Sequence, residues 1–256
     1  MYYASARLER AGVPHAFSTR VGGVSAGPFA SLNLGNPSGS EITDEADHIA
    51  RNYRLLHAAI GCQDRTRCFV KQVHGCAVID AGANADFANG RPADALTTDD
   101  ASRLLAIQTA DCIPILLSSD DGRCVAAIHA GWRGIIARVI DYGCRALLRM
   151  ARSNRPLIAA VGPCISKLHF EVGPEVLDQF KTEFGDEVIH DARHVDLPRA
   201  AYLQLIAAGV SPDKIDTTDR CTFRDADEFF SHRRDRGITG RMASVIGPRS
   251  DSQPNP

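Results

Sequence analysis

The stretch Leu104-Leu105-Ala106-Ile107-Gln108-Thr109-Ala110-Asp111-Cys112-Ile113-Pro114-Ile115-Leu116-Leu117 reads as two apolar strands meeting at a short polar break. Each run is short and nearly uniformly apolar, which suits buried strands better than an amphipathic helix. Working outward, Cys68 to Val73 reads as a strand ending in His74-Gly75. Cys124 to Ile128 reads as one that runs into His129-Ala130-Gly131-Trp132-Arg133-Gly134. Leu157 to Val161 is a further buried strand, stopped by Gly162-Pro163-Cys164, and Met242 to Ile246 is the last.

Helical periodicity lies between these runs. Ala46, Ile49, Tyr53, Leu56 and Ile60 predict a helix over Thr43 to Ile60, with Asp44 and Glu45 in its first turn and Gly61 at its stop. A second helix is expected from Ile135 to Met150. Two more start at Pro174 and Pro198 and end near Gly185 and Gly209, with proline at the first helical position and glycine at the stop. Strands and helices do not alternate strictly. The expected class is therefore α+β, a single domain of mixed β-sheets flanked by helices over residues 1–247. The polar segment 248–256 is expected to be a disordered tail.

Composition narrows the function. The 256 residues are 44% hydrophobic and carry a net charge of −2, with acids and bases interspersed. That balance lacks the electrostatic footprint of a nucleic-acid or membrane-surface binder. Met1 to Arg10 holds no apolar signal segment, and no run approaches the roughly 18 apolar residues of a membrane span. A cytoplasmic protein is expected, its eight cysteines present as thiols. No Cys-x-x-Cys pair occurs, so zinc-ribbon and thioredoxin-type motifs are absent.

Three residues share one kind of location. His74, Cys112 and His129 each stand where an apolar run gives way to a turn, the place where rigid scaffolds present functional groups. Imidazole and thiolate are preferred zinc ligands, and both also take copper. Two nitrogens and one sulfur would leave a fourth tetrahedral position open, as in catalytic zinc sites. The plain alternative is a core cysteine and two hydrogen-bonded structural histidines. Polar neighbours favour a site: Lys71 and Gln72 precede His74, Thr109 and Asp111 flank Cys112, and Trp132 and Arg133 follow His129. Upstream, Arg20 adjoins a Gly-rich loop, Val21 to Pro28, which permits close backbone approach to a ligand.

Segments along the chain resemble the YfiH family, also called the laccase-domain or polyphenol-oxidase-like family. They are Phe17-Ser18-Thr19-Arg20 with Gly22-Gly23-Val24-Ser25, Ser31-Leu32-Asn33-Leu34-Gly35, Lys71-Gln72-Val73-His74-Gly75 and Ala93-Asp94-Ala95-Leu96. Thr109-Ala110-Asp111-Cys112 with Pro114-Ile115-Leu116-Leu117 and Ala127 to Gly134 follow. Gly162-Pro163 with Phe170-Glu171-Val172-Gly173, and Phe229 to Asp235 with Thr239-Gly240-Arg241, complete the set. One departure is Gly39-Ser40, where the family pattern has Gly-Asp.

The resemblance implies that His74, Cys112 and His129 are metal ligands. With zinc, or copper, they are the candidate catalytic residues together with Lys71, and the candidate substrate contacts are Arg20, Asn33, Gln72, Asp111 and Arg133. The implied activity is purine nucleoside phosphorolysis of adenosine, inosine and methylthioadenosine, with adenosine deamination and polyphenol oxidation beside it. The implied partners are a purine nucleoside and phosphate, on a monomer or homodimer. The implied fold is shared with cysteine-dependent deamidating toxins.

Residue chemistry weighs these readings. A multicopper oxidase needs many histidines in His-x-His pairs. This chain has nine histidines and no such pair, so one trio can hold one ion. His169-Phe170-Glu171 lacks the Pro-Cys-x-x-Cys partner of the nucleoside-deaminase zinc signature, so His169 reads as structural. A cysteine-dependent amidase editing a peptidoglycan precursor remains the competing enzyme, with Cys112 as nucleophile and a histidine as base. A non-catalytic metal- or purine-binding module is the third reading. For phosphorolysis, Arg20, Lys71, Arg133 and the amides of Gly131 to Gly134 are the candidate anion contacts. Lys71, Asp111 (directly or through a neighbour) or a metal-bound water is the candidate proton donor to the leaving base, and Arg233 and Arg234 read as surface ion pairs.

Overall fold

The run from Arg103 to Ser119 does form two strands, and they belong to different sheets. The computed structural model describes residues 1–82, 89–152 and 156–250. One mixed sheet has the order β1 (Tyr2–Tyr3), β2 (His15–Ser18), β11 (Met242–Ile246), β6 (Arg103–Thr109) and β3 (Thr66–Phe69). Here β3 pairs parallel with β6 and the other neighbours are antiparallel. The other has the order β10 (Ile215–Asp216), β9 (Leu157–Val161), β7 (Ile113–Ser119), β8 (Val125–Ala130), β5 (Ala95–Thr98) and β4 (Val78–Asp80). Its two outermost pairs are parallel and its centre antiparallel.

Period-two alternation distributes the strand residues among three cores. Leu105 and Ile107 pack with Leu116, Val125 and Ala127 between the sheets. Leu104 and Ala106 point outward, to Tyr53 and Leu56 of the helix Ala46–Ala59 (α2, after the short α1, Ala6–Arg10). Ile113, Ile115 and Leu117 point to the opposite outside, against helices that include Val139, Ile140 and Leu147. The strand pairs are therefore covered on both faces, which explains their uninterrupted apolar character. A one-residue slip would exchange the cores, and each fully buried Leu or Ile is worth roughly 1.5–3 kcal/mol.

Element boundaries differ from the sequence expectation in instructive ways. The first long helix begins at Ala46 with Glu45 as its cap residue. Asp44 lies outside it, where its oxygens accept from the Glu45 N–H and the Asn33 amide. The expected helix Ile135–Met150 is two helices, α3 (Trp132–Ile136) and α4 (Val139–Ala151), separated by Arg138 at φ +65°. Helices α5 (Pro174–Phe184) and α6 (Leu197–Ala207) follow, with Pro198 at the second position because Asp196 caps from one residue earlier. Strand β3 stops at Phe69, since the Lys71 backbone leaves the sheet to pair with Arg91 and Ala93. Of the expected tail, Pro248 and Arg249 are hydrogen-bonded to Arg65 and Gly122, and residues 251–256 lie outside the described residues. Among the described residues no helix is long and apolar enough to cross a membrane.

Candidate metal centre and active site

Three backbone segments converge where the two sheets meet. His129 lies inside β8 rather than after it; its odd position shares the inner face with Val125 and Ala127. Cys112 ends the break between β6 and β7. His74 hangs from the segment that leaves β3. One ligand atom from each lies within 4.8 Å of the others, with Cys112 Sγ 3.8 Å from His74 Nε2. A tetrahedral ion with bonds of about 2.0–2.3 Å needs ligand atoms roughly 3.3–3.8 Å apart. The donor set therefore suits one metal ion, and the side chains have to draw in by about an ångström to close on it.

The carboxylate of Asp94 organises this corner. It is fully buried, immediately before β5, and accepts from the backbone N–H of His74 (2.9 Å) and Gly75 (2.7 Å) and from His129 Nδ1 (2.8 Å). Those donors hold its pKa below the usual carboxylate range although burial opposes them. They also fix His129 with Nδ1 facing Asp94 and its other nitrogen free for a ligand bond, the usual arrangement behind a metal-bound histidine. His74 sits at φ +59°, a left-handed conformation that costs a non-glycine residue about 1–3 kcal/mol unless held, and the Asp94 clamp holds it.

Gly131, the cap residue of α3, has ordinary φ −72° and is glycine for want of space. A Cβ there would sit 2.6 Å from His74 Cδ2 and 3.2 Å from Cys112 Sγ.

Electrostatics make Cys112 and His129 a pair. Burial would raise the Cys112 thiol, but the neighbouring His129 charge and hydrogen bonds from His129 and His74 bring it down to about 6. Burial would lower His129, yet the Cys112 sulfur and Asp94 raise it to about 9. A thiolate beside an imidazolium results, ready to bind a cation or to attack an electrophile.

His74 and Cys112, with His129 buried behind them, open on a cavity of about 450 Å³ also lined by Gln72, Asp111, Trp132, Arg133, Phe170, His232, Arg233 and Arg241. Gln72 lines it, but its amide is spent on the backbone N–H and C=O of Gln108 at 2.7 Å each, taking the place of the next rung after β3 ends. Asp111, at φ +92°, lines it with both oxygens engaged, one by Thr222 Oγ1 and one by the Arg233 N–H, each at 2.7 Å. These bonds tie the turn at Asp111 to Thr222 and Arg233. Arg133 lines the cavity with its guanidinium over Trp132.

Three expected site residues stand apart from that lining. Lys71 is exposed and outside it. Arg20 donates to the carbonyls of Ala30 and Ala226 and lies over Phe230, so it pins loops. The Gly-rich loop folds onto its own chain, where a Cβ on Gly23 would meet Ser31 O at 2.3 Å. Asn33 is fully buried; its oxygen accepts the Arg241 N–H at 2.8 Å and its amide donates to Asp44. Arg234 does pair with Asp235 and also binds three backbone carbonyls, whereas Arg233 donates to the Glu171 carbonyl and faces the cavity. His169 stacks on Phe223. The Gly39-Ser40 departure falls in a turn before α2, directly after the cavity-lining Ser38.

Residues 14–249 match the family described as multi-copper polyphenol oxidoreductase laccase. The chain is 40% identical over 251 residues to a purine nucleoside phosphorylase of Deinococcus radiodurans, covering 96% of this chain and 94% of that protein. It is 38% identical over 238 residues to purine nucleoside phosphorylase YfiH of Escherichia coli, covering 92% and 93%. The crystal structure of YlmD from Geobacillus stearothermophilus shares the fold with a TM-score of 0.83 at 32% identity, over 96% of this chain and 94% of that one.

Proposed function

The chain belongs to the YfiH laccase-domain family, and from that premise we propose that it is a purine nucleoside phosphorylase acting on adenosine, inosine and methylthioadenosine. The observation that carries the reading is the His74–Cys112–His129 trio opening on a cavity with several arginines in its wall. A phosphate oxygen attacks C1′ of the ribose, the bond from C1′ to the purine nitrogen breaks, and the base leaves with a proton. The cations hold the phosphate charge in line with the sugar. Trp132 and Phe170 offer apolar surface to the purine. With Asp111 committed and Lys71 outside the lining, His232 is the lining side chain beyond the trio placed to deliver the proton. Zinc, when held by His74, Cys112 and His129, supplies a Lewis acid with an open coordination position. Copper in its place would account for a side activity toward phenols, and adenosine deamination is a second side activity. The eight free thiols suit a cytoplasmic setting.

A second reading rests on a specific observation, the lowered Cys112 thiol beside His129 and Asp94. Nucleophile, base and orienting carboxylate are the parts of a cysteine hydrolase, such as an amidase acting on a peptidoglycan precursor or a relative of the deamidating toxins. One experiment separates the two. Purified protein is stripped with chelator, reloaded with zinc, and assayed for adenine and ribose 1-phosphate from adenosine and phosphate. Activity lost on stripping and regained with zinc is expected. An adenosine-inert protein that cleaves an amide substrate without metal overturns the phosphorylase. No turnover of either leaves only a binding module.

A further inference from the structure

We propose that Arg241, supported by Arg233 and His232 from the same turn, forms the subsite that binds inorganic phosphate; the assignment rests on the phosphorolytic reading of the same cavity. Of the anion contacts the sequence offered, Arg20 and Lys71 lie outside the lining, while Arg133 lies in it with its guanidinium over Trp132. Two further arginines, Arg233 and Arg241, line it from the segment 232–241, with His232 beside them. Among the described lining residues the carboxylate is Asp111, and its two oxygens are taken by Thr222 and by the Arg233 backbone. The wall thus carries three arginines, Arg133, Arg233 and Arg241, against the one lining carboxylate of Asp111, an excess of positive charge that suits an anion.

Arg241 is the best placed of the three. Its backbone is fixed on both sides, with its N–H on Asn33 Oδ1 at 2.8 Å and its carbonyl accepting the Leu34 N–H at 2.9 Å. Gly240 before it packs so closely that a Cβ would meet Asn33 Oδ1 at 2.7 Å and the Phe230 ring at 2.8 Å. One guanidinium nitrogen, Nη1, donates to the carbonyls of Thr239 and Gly240, which aims the fork. Nε and Nη2, the pair of nitrogens that grips an oxyanion side by side, take no part in those bonds. Burial also weakens the competition of water for this cation. A pre-aimed, partly desolvated fork beside Cys112 matches two phosphate oxygens, whereas a lysine would offer a point charge.

The test measures inorganic phosphate binding to the zinc-loaded chain by equilibrium dialysis, apart from turnover. Wild type, Arg241→Ala, Arg241→Lys and Arg233→Ala are compared, with metal content and adenosine binding read on each. Arg241→Ala is expected to weaken phosphate binding roughly ten- to hundredfold, with zinc and adenosine retained. Arg241→Lys should recover part of the loss, and Arg233→Ala should weaken binding less. Equal phosphate affinity in wild type and Arg241→Ala, or no phosphate binding by the wild type, overturns the assignment. Should Arg241→Ala lose its metal or fold, Arg241→Lys decides, since an unchanged phosphate affinity there removes the fork from the site. A wild type that binds phosphate through Arg241 yet releases no adenine defeats the phosphorylase reading and leaves the subsite standing.

Discussion

Cys112 and Cys164 stand at the same end of neighbouring antiparallel strands of the six-stranded sheet, one just before β7 begins and the other just after β9 ends. Both are next to Asp111: Cys112 follows it in sequence, and Ile165, after Cys164, donates its N–H to the Asp111 carbonyl at 3.0 Å. Their chemistry nonetheless diverges. Burial drives the Cys164 thiol far above its usual range, with Cys221 and Asp111 adding to the effect. The same desolvation acts on Cys112, yet two imidazoles overcome it and leave a thiol titrating at about 6. A strand end and a buried sulfur do not by themselves make a reactive cysteine; the partners that other strands bring to it do.

The comparison can be broken most directly by removing each sulfur. Cys112→Ala should lower kcat/KM for adenosine phosphorolysis by about a thousandfold or more, because ligand and thiolate go together. Cys164→Ala should keep activity within about threefold while costing on the order of 1 kcal/mol of stability in urea unfolding, as a small core truncation does. Comparable losses of activity in both variants would erase the distinction.

Gly131→Ala tests the space around the trio without touching a ligand. The added methyl must displace His74 or Cys112, and a misplacement near 1 Å costs roughly a hundredfold in rate. Zinc content should fall with it, while circular dichroism stays unchanged because the backbone φ of −72° suits alanine. Full activity in this variant would mean that the trio tolerates rearrangement.

The finest probe is pH. In zinc-free protein, alkylation of Cys112 by iodoacetamide should rise about tenfold between pH 5 and 7, following a midpoint of about 6, with Cys164 silent throughout. Stability of that zinc-free form follows the same pair. Cys112 is an acid with a depressed folded pKa, so its contribution is lost as pH falls through about 6. His129 is raised, so its contribution is lost as pH climbs through about 9. The pair therefore stabilises the fold most between those limits, and a flat urea midpoint across them and beyond would contradict it.

Much of this was legible in the chain. Apolar runs located the strands of both sheets, and their uniformity reflects cores on both faces. The trio was legible as residue types at strand ends, although His129 proved to be inside its strand. What escaped was set by contacts across the sequence. Asp94 entered only as part of the family segment Ala93-Asp94-Ala95-Leu96, and the antiparallel register of β5 on β8, with Ala95 opposite Ile128, is what brings it to His129. Arg241 entered only as the end of the family segment Thr239-Gly240-Arg241, and its aim depends on Asn33, more than two hundred residues away. Arg20 and Lys71 lie outside the cavity lining; a cation near a glycine loop or a histidine has two uses, and at Arg20 hydrogen bonds to Ala30 and Ala226 serve the structural one.

The break Ala110-Asp111-Cys112 has a mechanical consequence. It carries the chain from the five-stranded sheet to the six-stranded one, and the donors around it come from both: His74 hangs beyond β3, while His129 is set in β8. An ion gripped by all three is a rivet through the seam between the sheets. The slow breathing in which the two layers part then requires a ligand bond to give way, so loaded protein should exchange its amide hydrogens on both sides of the seam as one cooperative unit. Stripped of the ion, the layers are free to open separately, and the occupancy of a three-residue corner becomes a clamp on the motion of the whole molecule.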